Sequence, residues 1–205
     1  MTDLYRFENR LWEEGFKRVM GLDEVGRGCL CGPVVAAGVI LKPGTKITGL
    51  ADSKTLKIET RENLAEEIRE KALFSIVHEC SPREVDKLNI LHASIKAMIK
   101  CAETDEANPD YLLVDGNRFT AAFIPFKCIV KGDSLSASIA AASIIAKVYR
   151  DHLMHKLHHK FPVYGWDTNV GYPTKKHYEG LKRYGYTPHH RKSFVLRTEK
   201  RYNEN

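Results

Sequence analysis

The sequence predicts an α/β domain with a mixed five-stranded sheet flanked by helices, plus a small helical extension at the C-terminal end. Five short apolar runs have strand length and are rich in Val, Ile and Leu. Between them, apolar residues recur at helical spacing among charges. The order is a three-stranded start, then helix, two strands and helix, which suits one mixed sheet.

Residues 17–24 (KRVMGLDE) and Val34–Leu41 (VVAAGVIL) read as strands joined by a glycine-rich connection at 26–32. Residues 53–71 place Leu56, Leu64 and Ile68 at near-helical spacing, with Ser53 or Thr55 as N-cap. Residues 73–80 form a third strand. Ser81 and Pro82 then open a helix as N-cap and first-turn proline, with one apolar face of Leu88, Leu91, Ile95, Met98 and Ile99. Tyr111–Asp115 (YLLVD) is a short buried strand, and residues 126–131 (FKCIVK) are a fifth that ends in Gly132 and Asp133. The long helix expected over 134–159 is rich in alanine, so it can pack close against a sheet. A loop rich in Gly, Pro, Asp and Asn precedes a last short helix, Lys175–Tyr184. No repeat or linker divides the chain. Residues 1–205 are expected as a single domain, with a core over about 17–160 and a basic substrate-binding extension over about 161–205.

The 205 residues are 43% hydrophobic and 28% charged, enough for a real core and ordinary for a soluble protein. Val34–Leu41, the richest apolar run, is only strand-sized, and the N-terminus lacks the apolar core of a secretory signal. A cytoplasmic monomer with no membrane partner is the expectation. Five cysteines without a CxxC pair argue against a disulfide framework or a zinc ribbon and for reduced, buried thiols. The charge is uneven. Residues 1–145 carry 19 Lys and Arg against 21 Asp and Glu, whereas 146–205 carry 13 against 5. Such asymmetry suits a basic surface facing a polyanion, with an acidic feature elsewhere.

That acidic feature lies at strand ends. Asp23 and Glu24 close the first strand, Asp115 closes LLVDG, and Asp133 follows the fifth strand in IVKGD. Strand alternation sends Asp23 and Glu24 to opposite faces, so a local bend is expected if both serve one site. A lone strand-end Asp ordinarily shapes a turn. Several together expose carboxylates to a crevice on rigid backbone, as a metal site requires. Oxygen ligands without matching Cys or His favour Mg²⁺ or Mn²⁺ over zinc.

Six blocks then carry a resemblance. GLDEVGRGCLCGPVVAAGVIL (21–41), DSKTL (52–56), VDG (114–116), KGDSLSASIAAASIIAKVYRD (131–151), YGWDTNVGYPTKKH (164–177) and HHRKSF (189–194) resemble those of the bacterial ribonuclease HII family, in its order and spacing. The resemblance implies a ribonuclease H-like fold and a two-metal site held by Asp23, Glu24, Asp115 and Asp133. It also implies that Gly26, Arg27 and Gly28 read ribose 2′-hydroxyls through the main chain, and that Tyr172 packs on the sugar just beyond the cut. Lys54 is a candidate phosphate contact. The implied substrates are RNA–DNA hybrid and duplex DNA containing ribonucleotides, cut on the 5′ side of a ribonucleotide to leave 3′-hydroxyl and 5′-phosphate ends. The alternatives on the same fold are a non-catalytic nucleic-acid-binding module or a DNA-junction nuclease. The sister type, ribonuclease HIII, usually carries an extra N-terminal domain, for which the lead of about twenty residues is too short.

Two positions depart from the family pattern. Val170 stands where a basic residue is common, and Cys31 where alanine is usual, a change expected to be silent. Asp151 is expected to pair with Arg150 or Lys147 rather than to bind metal. His152, His155, His158 and His159 share a helix face, and with no acidic partner close by in sequence a basic or solvated helix end is expected.

Overall fold

The computed structural model describes residues 3–50, 56–120 and 123–194. Helix α1 (Arg6–Glu13) leads into strands β1 (Val19–Val25) and β2 (Val34–Leu41), helix α2 (Ile58–Lys71) and β3 (Ala72–Cys80). Helices α3 (Pro82–Leu88) and α4 (Ile90–Ala102) precede β4 (Tyr111–Asp115) and β5 (Phe126–Ile129). The long helix α5 (Ala137–Lys160) is followed by two short ones, α6 (Trp166–Asn169) and α7 (Lys175–Tyr184). The sheet order is β3-β2-β1-β4-β5. Antiparallel pairs β1–β2 and β2–β3 join parallel pairs β1–β4 and β4–β5, which is the expected mixed five-stranded sheet.

Alternation along the central strands divides the core. Met20, Leu22, Leu112 and Val114 pack with Ala97, Met98 and Cys101 of α4 on one face. Val19 and Leu113 meet Ile139 of α5 on the other. Helix α5 lies unusually close to β1 because Gly21 has no side chain. A Cβ there would sit 2.1 Å from the Ser138 carbonyl carbon and 2.4 Å from the Ile139 nitrogen. Ala137, Ala141, Ala142 and Ala146 complete the close fit against Val35, Ala37 and Val39.

Four expectations are corrected. The helix expected through 82–99 is two, because Asn89 takes φ 65, a left-handed conformation that asparagine tolerates better than most residues. Its side chain then caps α4 by accepting from the Leu91 and His92 backbone N–H groups. Strand β5 stops at Ile129, since Lys131 at φ 58 turns the chain into a 3₁₀ turn, Gly132–Ser134. Helix α5 starts at Ala137, capped by the Ser136 hydroxyl, which accepts from the Ile139 N–H. Helix α2 starts at Ile58 with Lys57 as its uncapped N-cap residue, and Ser53 and Thr55 lie outside the described residues.

Helix α1 had no counterpart among the expected elements. It docks on the start of α5 through Glu8, whose buried carboxylate accepts from the Ser138 N–H and from the Ser136 and Ser138 hydroxyls. The Leu4 carbonyl accepts from the Ala137 N–H beside it. Two of the otherwise unpaired donors at the start of α5 are thus satisfied by a segment more than a hundred residues away in sequence. All five cysteines are free thiols, four buried and Cys128 partly so. Among the described residues no helix is long and apolar enough to cross a membrane.

Candidate active site

The parallel pairing of β1 with β4 ends at Leu22 and Val114. Beyond it β1 continues against β2 alone, with Asp23 opposite Ala37 and Glu24 opposite Ala36. The ladder stays regular, so the expected bend is not there. Instead, β4 ends one residue later at Asp115, and the two β1 carboxylates flank that end from opposite faces of the sheet. This is the crevice outside the carboxyl ends of parallel strands, where α/β folds expose polar groups on fixed backbone.

Each carboxylate is anchored differently. Asp23, 6% exposed, bonds to the Ser143 side chain on α5 and accepts from the Glu24 N–H at 2.7 Å. Glu24 accepts from Arg27 Nη1 at 3.0 Å and shares a crevice with Asp115, Ser94 and Met98. Asp115 Oδ1 accepts from the Gly132 N–H at 2.7 Å, which ties the 3₁₀ turn carrying Asp133 to the end of β4. Asp133, 7% exposed, sits three residues ahead of the helix cap, so Ser136 and not Asp133 fills the capping role.

Electrostatics link three of the four. Burial, then Glu24, then Asp115 push the Asp23 carboxyl well above its usual range. Glu24 is raised mainly by burial; Arg27 pulls it down and Asp115 pushes it further up. Nearly buried carboxylates that repel one another need a proton or a cation to balance them, and oxygen donors fit a hard divalent cation. No three of them bring one oxygen each within 4.8 Å of one another.

Beside the carboxylates lies a loop pair. Gly26 is buried at φ 91, and a Cβ there would collide with Arg150 Nε at 2.3 Å. Gly28 is open, with only the Tyr172 ring near, 3.7 Å from the place of a Cβ. Tyr172 itself is 42% exposed. The Leu30 N–H donates to the Gly171 carbonyl at 2.8 Å, which joins the loop of Gly28 to that of Tyr172. Lys54 lies outside the described residues.

A family model for ribonuclease HII matches residues 20–198. The chain belongs to the ribonuclease HII family. A ribonuclease HII of Salinibacter ruber is 49% identical over 193 residues, covering 92% of this chain and 96% of its own length. One from Alteromonas mediterranea is 53% identical over 178 residues, covering 87% of this chain and 94% of its own. Among solved structures, ribonuclease HII of Archaeoglobus fulgidus, determined in complex with PCNA, superposes with a TM-score of 0.75 at 28% identity. That match covers 88% of this chain and 96% of the archaeal one.

In this member of the ribonuclease HII family two buried arginines hold the loops. Arg150 donates to the carbonyls of Pro33 (3.2 Å), Cys31 (3.0 Å) and Val170 (2.8 Å), and so spans both. Arg191 donates to the Gly32 and Arg27 carbonyls, each at 3.0 Å. Arg150 is therefore not the partner of Asp151, which pairs with Lys147 at 2.5 and 2.8 Å and with Arg61 at 3.1 Å. The sequence offered both arginines inside the VYRD and HHRKSF blocks, but nothing in a one-dimensional pattern marks a guanidinium that collects distant carbonyls.

Among the described residues the α5 histidines form no common ligand cluster; three of them find partners on other helices. His152 meets Glu62 at 3.0 Å, His155 the Asp167 carbonyl at 2.9 Å, and His158 the Asp167 carboxylate at 3.4 Å. Acidic partners absent from the neighbouring sequence thus come from α2 and α6. A different set, Cys31, His177 and His190, brings three ligand atoms within 4.8 Å of one another, all buried. Cys31 is therefore not an isolated position, although burial lifts its thiol far above its ordinary range.

Proposed function

We propose that Asp23, Glu24, Asp115 and Asp133 hold two divalent cations, Mg²⁺ or Mn²⁺, for hydrolysis of phosphodiester bonds in the RNA strand of hybrids. The protein is a ribonuclease by family, an endoribonuclease acting on RNA–DNA hybrids. The finer reading adds cutting 5′ of a single ribonucleotide embedded in duplex DNA, with 3′-hydroxyl and 5′-phosphate products. One observation carries the metal assignment: Asp23, Glu24 and Asp115 lie together at the end of the β1–β4 pairing, near enough for their charges to repel. Bound ions would supply a nucleophilic water and charge stabilisation at the scissile phosphate. Asp23 and Asp115, on adjacent parallel strands, are the first choice for the shared oxygens, and Glu24 and Asp133 complete the set. The backbones of Asp23, Glu24 and Asp115 are fixed by the ladder and the Asp115 carboxylate is held by the Gly132 N–H, so little reorganisation is asked of them.

Substrate selection falls to the loops. Gly28 leaves its main chain open to close approach, which supports reading of the 2′-hydroxyl by Gly26, Arg27 and Gly28. Tyr172 packs on the next sugar. Lys54 and the basic extension over 161–205 add backbone affinity that is independent of sequence. The test is cleavage of a labelled DNA duplex containing one ribonucleotide, with Mg²⁺, Mn²⁺ or chelator, beside an all-DNA duplex. Metal-dependent nicking at the ribonucleotide alone is expected; cleavage that survives the chelator, or equal cutting of all-DNA, would defeat the proposal.

A further inference from the structure

The Tyr172 loop is strained, and it is fastened from beneath. Val170 at φ 41 and Gly171 at φ 91 both lie in the left-handed region, which a β-branched valine rarely adopts. Asn169 brackets the turn, accepting from the Gly171 N–H at 2.9 Å and donating to the Tyr164 carbonyl at 2.8 Å. The Tyr172 carbonyl points inward and lies 2.9 Å from His177 Nδ1.

The tautomers follow from the partners. A carbonyl only accepts, so His177 Nδ1 carries the hydrogen and its Nε2 is an acceptor. That Nε2 is 3.2 Å from Trp166 Nε1, which only donates, and 3.1 Å from His190 Nε2. At the far end the Thr187 N–H donates to His190 Nδ1 at 2.9 Å, which leaves the His190 hydrogen on Nε2, facing His177. The bonds therefore run one way, from the Thr187 N–H through two imidazoles to the Tyr172 carbonyl. Both rings are buried among Tyr164 and Trp166. Cys31 lies near, but every ring nitrogen already has a hydrogen-bond partner. A metal at this spot would cost Trp166 its acceptor and force His190 to the other tautomer, against the Thr187 N–H.

We infer that His177 is a positioning residue for substrate recognition: it holds the Tyr172 carbonyl, and with it the exposed Tyr172 ring over Gly28, through a hydrogen-bond relay oriented by His190. The inference rests on the reading of Tyr172 as the sugar-packing residue. The buried imidazole touches no substrate. It acts by fixing where the ring stands, and misplacement of such a group by about 1 Å can cost about a hundredfold in rate.

His177→Asn and His177→Leu separate this role from plain packing. Asparagine places an amide N–H where Nδ1 stood, and leucine fills space without a donor. Both break the bonds to His190 and Trp166, so both should lose similar thermal stability. The readout is the single-turnover rate on a DNA duplex with one ribonucleotide divided by that on continuous RNA–DNA hybrid. His177→Leu should lower this ratio about tenfold, and His177→Asn should restore most of it. Equal ratios in the two variants, tracking only the melting temperature, would overturn the inference. Tyr172→Ala runs in parallel. A ratio changed by Tyr172→Ala but not by His177→Leu defeats the positioning role alone, whereas an unchanged ratio in Tyr172→Ala defeats the underlying reading too. Where His177→Leu does not fold, His190→Leu examines the same relay one bond further out; a smaller fall in the ratio is expected, and no fall would overturn the inference.

Discussion

At the carboxylate end of the site, side chains project from two neighbouring strands that stay in register up to their last pair. At the loop end, by contrast, no residue belongs to the sheet, and the positions of Gly28 and Tyr172 depend on side chains reaching in from α5, α7 and the 187–191 segment. The first construction fixes charge by ladder geometry, and its cost is the burial and mutual repulsion of the carboxylates rather than any extra bonding to hold them. The second fixes main chain by buried guanidinium and imidazole groups, whose desolvation is offset by the hydrogen bonds they make to carbonyls and to one another. The two ends should therefore fail in different ways: chemistry without loss of stability at one, and recognition together with stability at the other.

Asp23→Asn should produce the largest effect and bears on the first half of that contrast. The amide keeps the shape and removes the charge asked to hold metal, so turnover should fall by about a hundredfold or more. The melting temperature at neutral pH should not fall, because Asp23 already stands against Glu24 and Asp115. Single-turnover cleavage with thermal unfolding alongside checks both parts. Near-normal turnover in well-folded protein would remove Asp23 from the site.

The same contrast explains what was legible in the sequence. Strand-end carboxylates beside glycine follow from local pattern, and β2 and β4 could be read to the residue because apolar runs bounded by turn residues have few other options. The fold class followed from their order. The break at Asn89 was harder, since a helical apolar face continues across it and only the left-handed backbone betrays the stop. Helix α1 was not among the expected elements although Phe7 and Leu11 recur at helical spacing; it is short, and its anchor, Glu8, is held by Ser136 and Ser138 far along the chain. The roles of Arg150, Arg191, His177 and His190 were not legible either. Arg150 and Arg191 bond to carbonyls far along the chain, and His177 and His190 bond to each other and to single backbone groups of irregular loops, so none of them leaves a spacing to read.

Acid should attack the loop end through His190. Burial first, and His177 next, hold its folded-state pKa down at about 4, below the ordinary 6.5. A base depressed by folding is protonated first in the unfolded chain. Its contribution is therefore complete above about pH 6.5 and is lost as pH falls toward 4, by up to about 3 kcal/mol across that window. His177 is lowered in the same direction, and His189 adds a like charge nearby. Denaturant titrations between pH 7 and 4 should show wild type losing stability faster than His190→Gln, which has no imidazole to protonate there. Parallel losses in the two proteins would mean that another group drives the acid response.

Lys175 and Lys176 should give the smallest effect, outside both constructions. They occupy the first turn of α7, where a cation is disfavoured by the helix dipole, so stability does not require them there. Both are exposed, and the Lys175–Glu179 pair at 3.9 Å is too loose and solvated to matter. The Lys176 stem does lie over Gly165, so glutamine is the better replacement because it retains apolar stem there. If the two lysines meet phosphates, Lys175→Gln with Lys176→Gln should weaken binding to all-DNA and hybrid duplexes alike, by a few-fold at moderate salt. The slope of log affinity against log salt should shrink by about 0.9 for each phosphate no longer neutralised. The ratio of rates on the two ribonucleotide substrates should stay at the wild-type value, since the relay beneath Tyr172 is untouched. Affinity measured by fluorescence anisotropy from low to high salt decides it. A weakening confined to one duplex class at an unchanged slope would show that these lysines act on the loop and not on the backbone charge of the nucleic acid.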